Sequence, residues 1–345
     1  MSTEPDAMPR VPVHRAPVFL VLPLLVLCLC FSEAMGGELV QIDDFGSNPG
    51  MIDMYIYSPA DVQPGAKLVV SLHGCHQDAA TYSGNGWKEL AEQWNLLVLY
   101  PQQRESNNPL ACWSWFRAED IQRGHGEAAS IRQMIDEMLA RYPIDEERIY
   151  IEGLSAGGWM AAVMLACYPD LFAGGATIAG GPAYCAVTQR HFWDVFGMWN
   201  SFVSTMQTNS CMDGLDKQAS RWRKLIMEYG FGNYAGPWPR ISIWHGSADS
   251  RVKPQAQQEL LEQWTALHSI DTVPERIEQL DPGIQATHKE YHDDGGAVLV
   301  ETYRIEGMGH GLPIAAEGCG QVSDYILEAG ICAVRRIGRF WSLDQ

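Results

Sequence analysis

Short apolar runs alternate along the chain with longer stretches whose apolar positions recur every three or four residues. Lys67–His73 (KLVVSLH), Leu96–Tyr100 (closed by Pro101), Arg148–Glu152, Gly175–Ala179 and Arg240–His245 have the length and apolar continuity of buried strands. Glu127–Tyr142 sets Ala128, Ile131, Met134, Ile135, Met138 and Leu139 on one helical stripe and stops before Pro143. Ala156–Tyr168 is small or apolar nearly all round, which predicts a buried helix. Gln255–His268 reads as a further helix. His288–His292 and Val298–Ile305 flank Asp293-Asp294-Gly295-Gly296, the pattern of a hairpin. Ser323–Leu327 and Ala333–Trp341 are expected to be helical.

This alternation argues an α/β chain with a mostly parallel sheet and helices on both faces. Between about residues 180 and 239 the rhythm breaks. That stretch carries Trp193, Trp199, Trp222 and Trp238 and reads as an insertion near one end of the sheet. Residues 35–345 are expected to form one catalytic domain.

The first segment has a different logic. Arg10, His14 and Arg15 precede the apolar run Ala16–Phe31, and Ser32-Glu33-Ala34 supplies small residues after it. The run is short for a membrane span, so residues 1–34 read as a signal peptide, with an uncleaved anchor as the competing reading. Export would place the chain outside the cell or in the periplasm. Seven cysteines follow the leader, an odd number, and oxidising surroundings favour disulfides among them. Their spacing alone does not fix the pairing. The formal net charge is −18 and no basic cluster appears, which argues against nucleic acid and anionic membrane surfaces as partners. A neutral ester substrate, polymer or oligomer, fits that balance.

One pentapeptide announces the chemistry. Gly153-Leu154-Ser155-Ala156-Gly157 matches G-x-S-x-G and sits between a predicted strand and a predicted helix. Two glycines let the chain turn sharply enough to expose Ser155 as a nucleophile at the strand end. A serine needs a base, and the base an orienting acid, in the order Ser, Asp, His for this arrangement. Asp249 follows the strand Arg240–His245. His310 follows Val298–Ile305 in the glycine-rich loop Gly307–Gly311. Two backbone N–H groups are needed for the oxyanion, and Ala156 and Cys75 are the candidates. Trp115 and Trp244 are candidate walls of an apolar substrate groove and Trp159 a candidate for its floor; the competing reading is core and lid packing. His288 and His292 are four apart but lie on a predicted strand with no third ligand, so no metal is expected.

At this point the chain resembles the polyhydroxybutyrate depolymerase family of esterases. The resemblance rests on Leu72–Cys75, Cys112–Phe116, Arg123–Glu127, Gly153–Gly158, Trp244–Asp249 and Gly309–Gly311, in order and spacing, from about Lys67 to Trp341. It implies an α/β-hydrolase fold, a Ser155–His310–Asp249 triad and no cofactor. It further implies disulfides Cys75–Cys112, Cys185–Cys211 and Cys319–Cys332, leaving Cys167 free. The substrate class it implies is poly(3-hydroxybutyrate) or short hydroxyalkanoate esters. Feruloyl or acetylxylan esters of plant cell wall are the alternative. A non-catalytic binding protein on a hydrolase scaffold is a remote third reading, disfavoured by the complete set of catalytic residue types.

Overall fold

The strands that precede the candidate site residues lie in the central, parallel part of one large sheet. A computed structural model describes residues 37–188, 198–280, 283–315 and 317–345. The leader reading of residues 1–34, and Trp193 of the insertion, lie outside these described residues.

The chain opens with strands β1 (Leu39–Ile42), β2 (Asp53–Tyr57) and β3 (Ala66–Leu72). Helices α1 (Ala79–Tyr82) and α2 (Trp87–Trp94) lead to β4 (Leu96–Gln102). The middle runs α3 (Gly126–Arg141), β5 (Ile144–Leu154), α4 (Ala156–Cys167) and β6 (Gly174–Ile178). Helices α5 (Met198–Asp213) and α6 (Ala219–Tyr229) occupy the insertion before β7 (Arg240–Gly246) and α7 (Gln255–His268). Strands β8 (Arg276–Gln279), β9 (Ala286–His292), β10 (Val298–Ile305), β11 (Leu312–Ile314) and β12 (Ile326–Glu328) precede α8 (Ala333–Phe340).

Ten strands form the main sheet in the order β1-β2-β4-β3-β5-β6-β7-β10-β9-β8. The inner six are mutually parallel, while β1, β2, β9 and β8 pair antiparallel at the two edges. Every residue of β3 is buried, as a central parallel strand covered on both faces requires. Every residue of α4 is buried as well, because it lies directly under the sheet's midline with no polar face to show to water.

Parallel pairing has a functional consequence. It places the C-terminal ends of β3, β5, β7 and β10 on one edge, and the loops leaving them meet there. Two apolar clusters fill the two faces. One gathers α3, α4 and α7 around Met134, Met160 and Trp264; the other gathers α2 and α8 around Trp87, Trp244 and Trp341.

One expectation fails. Ser323–Leu327 is not helical: Ile326 and Leu327 pair with Leu312 and Pro313 in the two-stranded sheet of β11 and β12. Tyr325 just before them takes a left-handed backbone, with φ 60°, which no helix contains. The β9–β10 hairpin closes at Asp293, whose N–H donates to Ala297 and whose carbonyl accepts from Gly296.

Candidate active site

Ser155 stands at the turn between β5 and α4 with φ 55° and ψ −120°, a strained conformation for any residue but glycine. Its N–H donates to Ile178 O at 2.8 Å and its carbonyl accepts from Trp159 N at 3.0 Å, so both neighbours pin the turn. The flanking glycines are sterically required. A Cβ on Gly153 would stand 2.3 Å from the Gly157 carbonyl, and one on Gly157 would stand 2.2 Å from Leu72 O. The end of β3 therefore lies directly against the first turn of α4.

Asp249 and His310 reach the same edge from β7 and β10. The two loops are laced together: Ser247 N donates to Ile305 O, Ala248 N to Met308 O, and Gly307 N to Ser247 Oγ. Gly246 makes room for the crossing, since a Cβ there would stand 2.3 Å from Met308 O. His310 Nδ1 donates to Asp249 Oδ2 at 2.7 Å. The other carboxylate oxygen accepts from the N–H groups of Arg251 and Val252, both at 2.9 Å.

Burial opposes charge on Asp249, but hydrogen bonds from His245, His310 and the Val252 N–H outweigh it and hold the carboxyl well below the usual carboxylate range. An ionised Asp249 can only accept, so His310 Nδ1 carries the proton of this bond. Sequence reasoning missed His245. It is buried, with Nε2 3.0 Å from Val252 O and 3.4 Å from Asp249 Oδ2.

The loop after β3 is held from four sides. Burial pushes the His73 imidazole down to about 4, so it is neutral; Nδ1 donates to Gly74 O at 2.7 Å and Nε2 accepts from Gln103 N at 3.0 Å. Trp113 Nε1 donates to His73 O, and Gln77 Oε1 accepts from Gly74 N. The Cys75–Cys112 disulfide ties the loop to the next one. Among the described residues, no hydrogen bond holds the N–H groups of Cys75 and Ala156. Both N–H groups adjoin the elbow: Ala156 follows Ser155 in sequence, and a Cβ on Gly74, next to Cys75, would stand 3.5 Å from Ser155 Cβ.

The motif Arg123–Glu127 braces this region. Glu127 accepts from Ser114 N at 2.8 Å and Gln103 Nε2 at 2.5 Å, joining three segments under the loop. Burial, with Asp120 nearby, pushes its carboxyl up to about 8. Glu152, next to the elbow, is raised to about 7 by burial and bonds Ser71, Tyr82 and Asn85.

All three candidate substrate tryptophans are buried, Trp115 5% and Trp159 1% exposed, which is the core packing of the competing reading. Trp115 and Trp159 stack with ring centroids 4.6 Å apart and interplanar angle 13°, and Trp159 packs against Gly181. Trp244 is 1% exposed, stacked at 3.8 Å on Tyr303 and hydrogen-bonded to Ser242 Oγ. It lies in the α8-side core and walls no open groove. The remaining bridges are Cys185–Cys211 and Cys319–Cys332, and Cys167 is free and buried. His288 stacks on Tyr303 and its Nε2 bonds Glu301, while His292 bonds Glu290.

A family model described as Esterase PHB depolymerase matches residues 53–263, more than half of the chain. The chain belongs to this esterase family. As a member it is a carboxylic ester hydrolase with the α/β-hydrolase fold. This esterase is 42% identical to Poly(3-hydroxyalkanoate) depolymerase C from Paucimonas lemoignei over 322 residues, 92% of this chain and 73% of that protein. It is 30% identical to an acetylxylan esterase from Coprinopsis cinerea over 285 residues, 81% of this chain and 71% of the other. Among solved structures, an acetyl xylan esterase from Aspergillus awamori superposes with TM-score 0.72 at 26% identity, covering 89% of this chain and 100% of that one.

Proposed function

We propose that this esterase is an exported enzyme that hydrolyses poly(3-hydroxybutyrate) or short hydroxyalkanoate esters through Ser155, His310 and Asp249. The observation that carries the substrate is the 42% identity to a poly(3-hydroxyalkanoate) depolymerase across 92% of the chain. Support for the three residues comes from the Asp249–His310 hydrogen bond and the strained elbow on the same sheet edge. Export is supported by the three disulfides and the leader-like first segment.

In this mechanism His310 Nε2 takes the Ser155 hydroxyl proton as Oγ attacks the ester carbonyl. Asp249 fixes the tautomer and stabilises the imidazolium. The Cys75 and Ala156 N–H groups donate to the carbonyl oxygen as negative charge develops on it. Collapse of the tetrahedral species breaks the ester C–O bond, and the alcohol leaves with the proton from His310. Water, deprotonated by the same imidazole, then attacks the acyl-enzyme, releases the acid and restores Ser155.

A second reading, deacetylation of xylan, is favoured by the acetyl xylan esterase structure, which is matched in full by 89% of this chain. The deciding experiment offers the purified mature chain an amorphous poly(3-hydroxybutyrate) suspension, acetylated xylan and a soluble butyrate ester, with Ser155→Ala alongside. Clearing of the suspension by the wild type alone is the expected result. Acetate release from xylan without clearing would move the assignment to the second reading. Ester cleavage retained by Ser155→Ala would remove the serine mechanism.

A further inference from the structure

The segment between the Cys319–Cys332 bridge ends is joined to all three parts of the candidate site. Leu312 N donates to Tyr325 O at 2.8 Å, which ties it to the His310 loop. Gly311 lies so close that a Cβ there would stand 2.8 Å from Tyr325 O. Gln77 Nε2 donates to Asp324 O at 2.7 Å, and the same Gln77 holds Gly74 of the oxyanion loop. These contacts over-determine Tyr325, whose φ of 60° a tyrosine adopts only under such constraint.

The ring uses that constraint. It meets His310 in a T-shaped contact, with centroids 5.9 Å apart and an interplanar angle of 74°. On Tyr325 also rests the Arg251 guanidinium, 5.2 Å from the ring centroid. Arg251 in turn donates its N–H to Asp249 Oδ1. The tyrosine ring is thus clasped between the histidine loop and the acid loop.

One hydrogen bond fixes a point of an imidazole and not its plane. The bond from Nδ1 to Asp249 leaves His310 free to rock about that contact, and Nε2 sweeps furthest because it is the far corner. We propose that Tyr325 is a positioning residue: its ring, through this T-shaped contact, fixes the plane of His310 so that Nε2 stays aimed at Ser155. The proposal rests on His310 acting as the base for Ser155. Loss of the ring misaims the base, which lowers turnover while leaving substrate binding nearly unchanged.

The test uses the full disulfide-bonded chain with Tyr325→Phe and Tyr325→Asn, a soluble butyrate ester, and titration of reactive Ser155 by a fluorophosphonate to count competent sites. Asparagine tolerates the left-handed backbone, so it removes the ring without disturbing the turn. Expected for Tyr325→Asn is a fall of about 10–100-fold in kcat per titrated site, with KM within about 2-fold of wild type. Tyr325→Phe keeps the ring and should stay within about 2-fold in both. Should Tyr325→Asn fail to fold, Tyr325→Leu, which fills the space without a rigid ring, should show the same kcat loss. Wild-type kcat in the ring-less variant overturns the proposal. So does a phenylalanine variant as impaired as asparagine, because the hydroxyl would then be what matters. A wild type that cleaves no ester takes down the serine-esterase reading itself, a distinct result.

Discussion

Replacing Gly157 by alanine probes how tightly the elbow is built. The new Cβ would stand 2.2 Å from Leu72 O and 2.5 Å from His73 O, both backbone atoms that cannot rotate away. Ordinary contact begins near 3.4 Å, so the end of β3 or the start of α4 must retreat by about 1 Å. That movement opens the distance between Ser155 and the loop bearing the Cys75 N–H. A displacement of that size costs on the order of 100-fold in rate, and overpacking of a dense interior costs about 1–3 kcal/mol of stability.

Two other glycines calibrate the result. Gly158→Ala meets backbone at 3.0–3.2 Å and should fall in between. Gly309→Ala, beside His310, meets nothing within 4 Å and should keep kcat within about 2-fold. The assay is turnover of a soluble butyrate ester per titrated serine, with thermal unfolding of each variant. A Gly157→Ala protein with wild-type kcat and Tm would refute the steric argument. Equal damage in Gly157→Ala and Gly309→Ala would refute it as well.

Asp249→Asn keeps the shape of the acid but lets His310 take the wrong tautomer, so kcat should fall on the order of 10³–10⁴-fold with KM little changed, measured by steady-state kinetics. Burial raises the Glu127 carboxyl to about 8 in the folded chain, against about 4.3 unfolded, so the folded state binds the extra proton across that window. Stability present at pH 4 should therefore decline as pH rises toward 8, and denaturant midpoints of Glu127→Gln should show a shallower slope; an unchanged slope would count against the neutral carboxyl. Removing the Cys75–Cys112 bridge by paired serine substitution frees a 37-residue separation and should cost about 3–4 kcal/mol in urea unfolding. It should also lower kcat, because the Cys75 N–H then lies on an untethered loop.

The elements that carry the candidate site residues were legible because local signals agreed there. Apolar runs marked β3, β5, β7 and β10, and each candidate residue sat just past a run, where a parallel sheet gathers its loops. What escaped depended on pairing across the chain. Strands β1 and β2 are short and half-polar, and their antiparallel edge place follows from what lies beside them. Tyr325 sits in a segment whose composition suits a helix, but hydrogen bonds from Gln77 and Leu312 impose a left-handed residue there instead. Trp244 neighbours His245 in sequence, yet alternation along β7 turns the indole onto Tyr303. His245 gave no signal of its own, since only the fold brings it to Asp249.

An odd cysteine beside three disulfides is ordinarily a liability, because a free thiolate attacks bridges and reshuffles them. Cys167 is removed from that chemistry by its position at the buried C-terminal end of α4. Its sulfur donates to Ile121 O at 3.0 Å and lies 3.3 Å from the Tyr184 hydroxyl, and burial pushes the thiol up to about 11. At pH 8 only about one such thiol in a thousand would be ionised, and that one would have no path to a bridge. Once folded, the chain is protected from scrambling its own cross-links. The hazard is confined to the interval before α4 is covered, when the Cys167 sulfur still competes with the other cysteines for a partner.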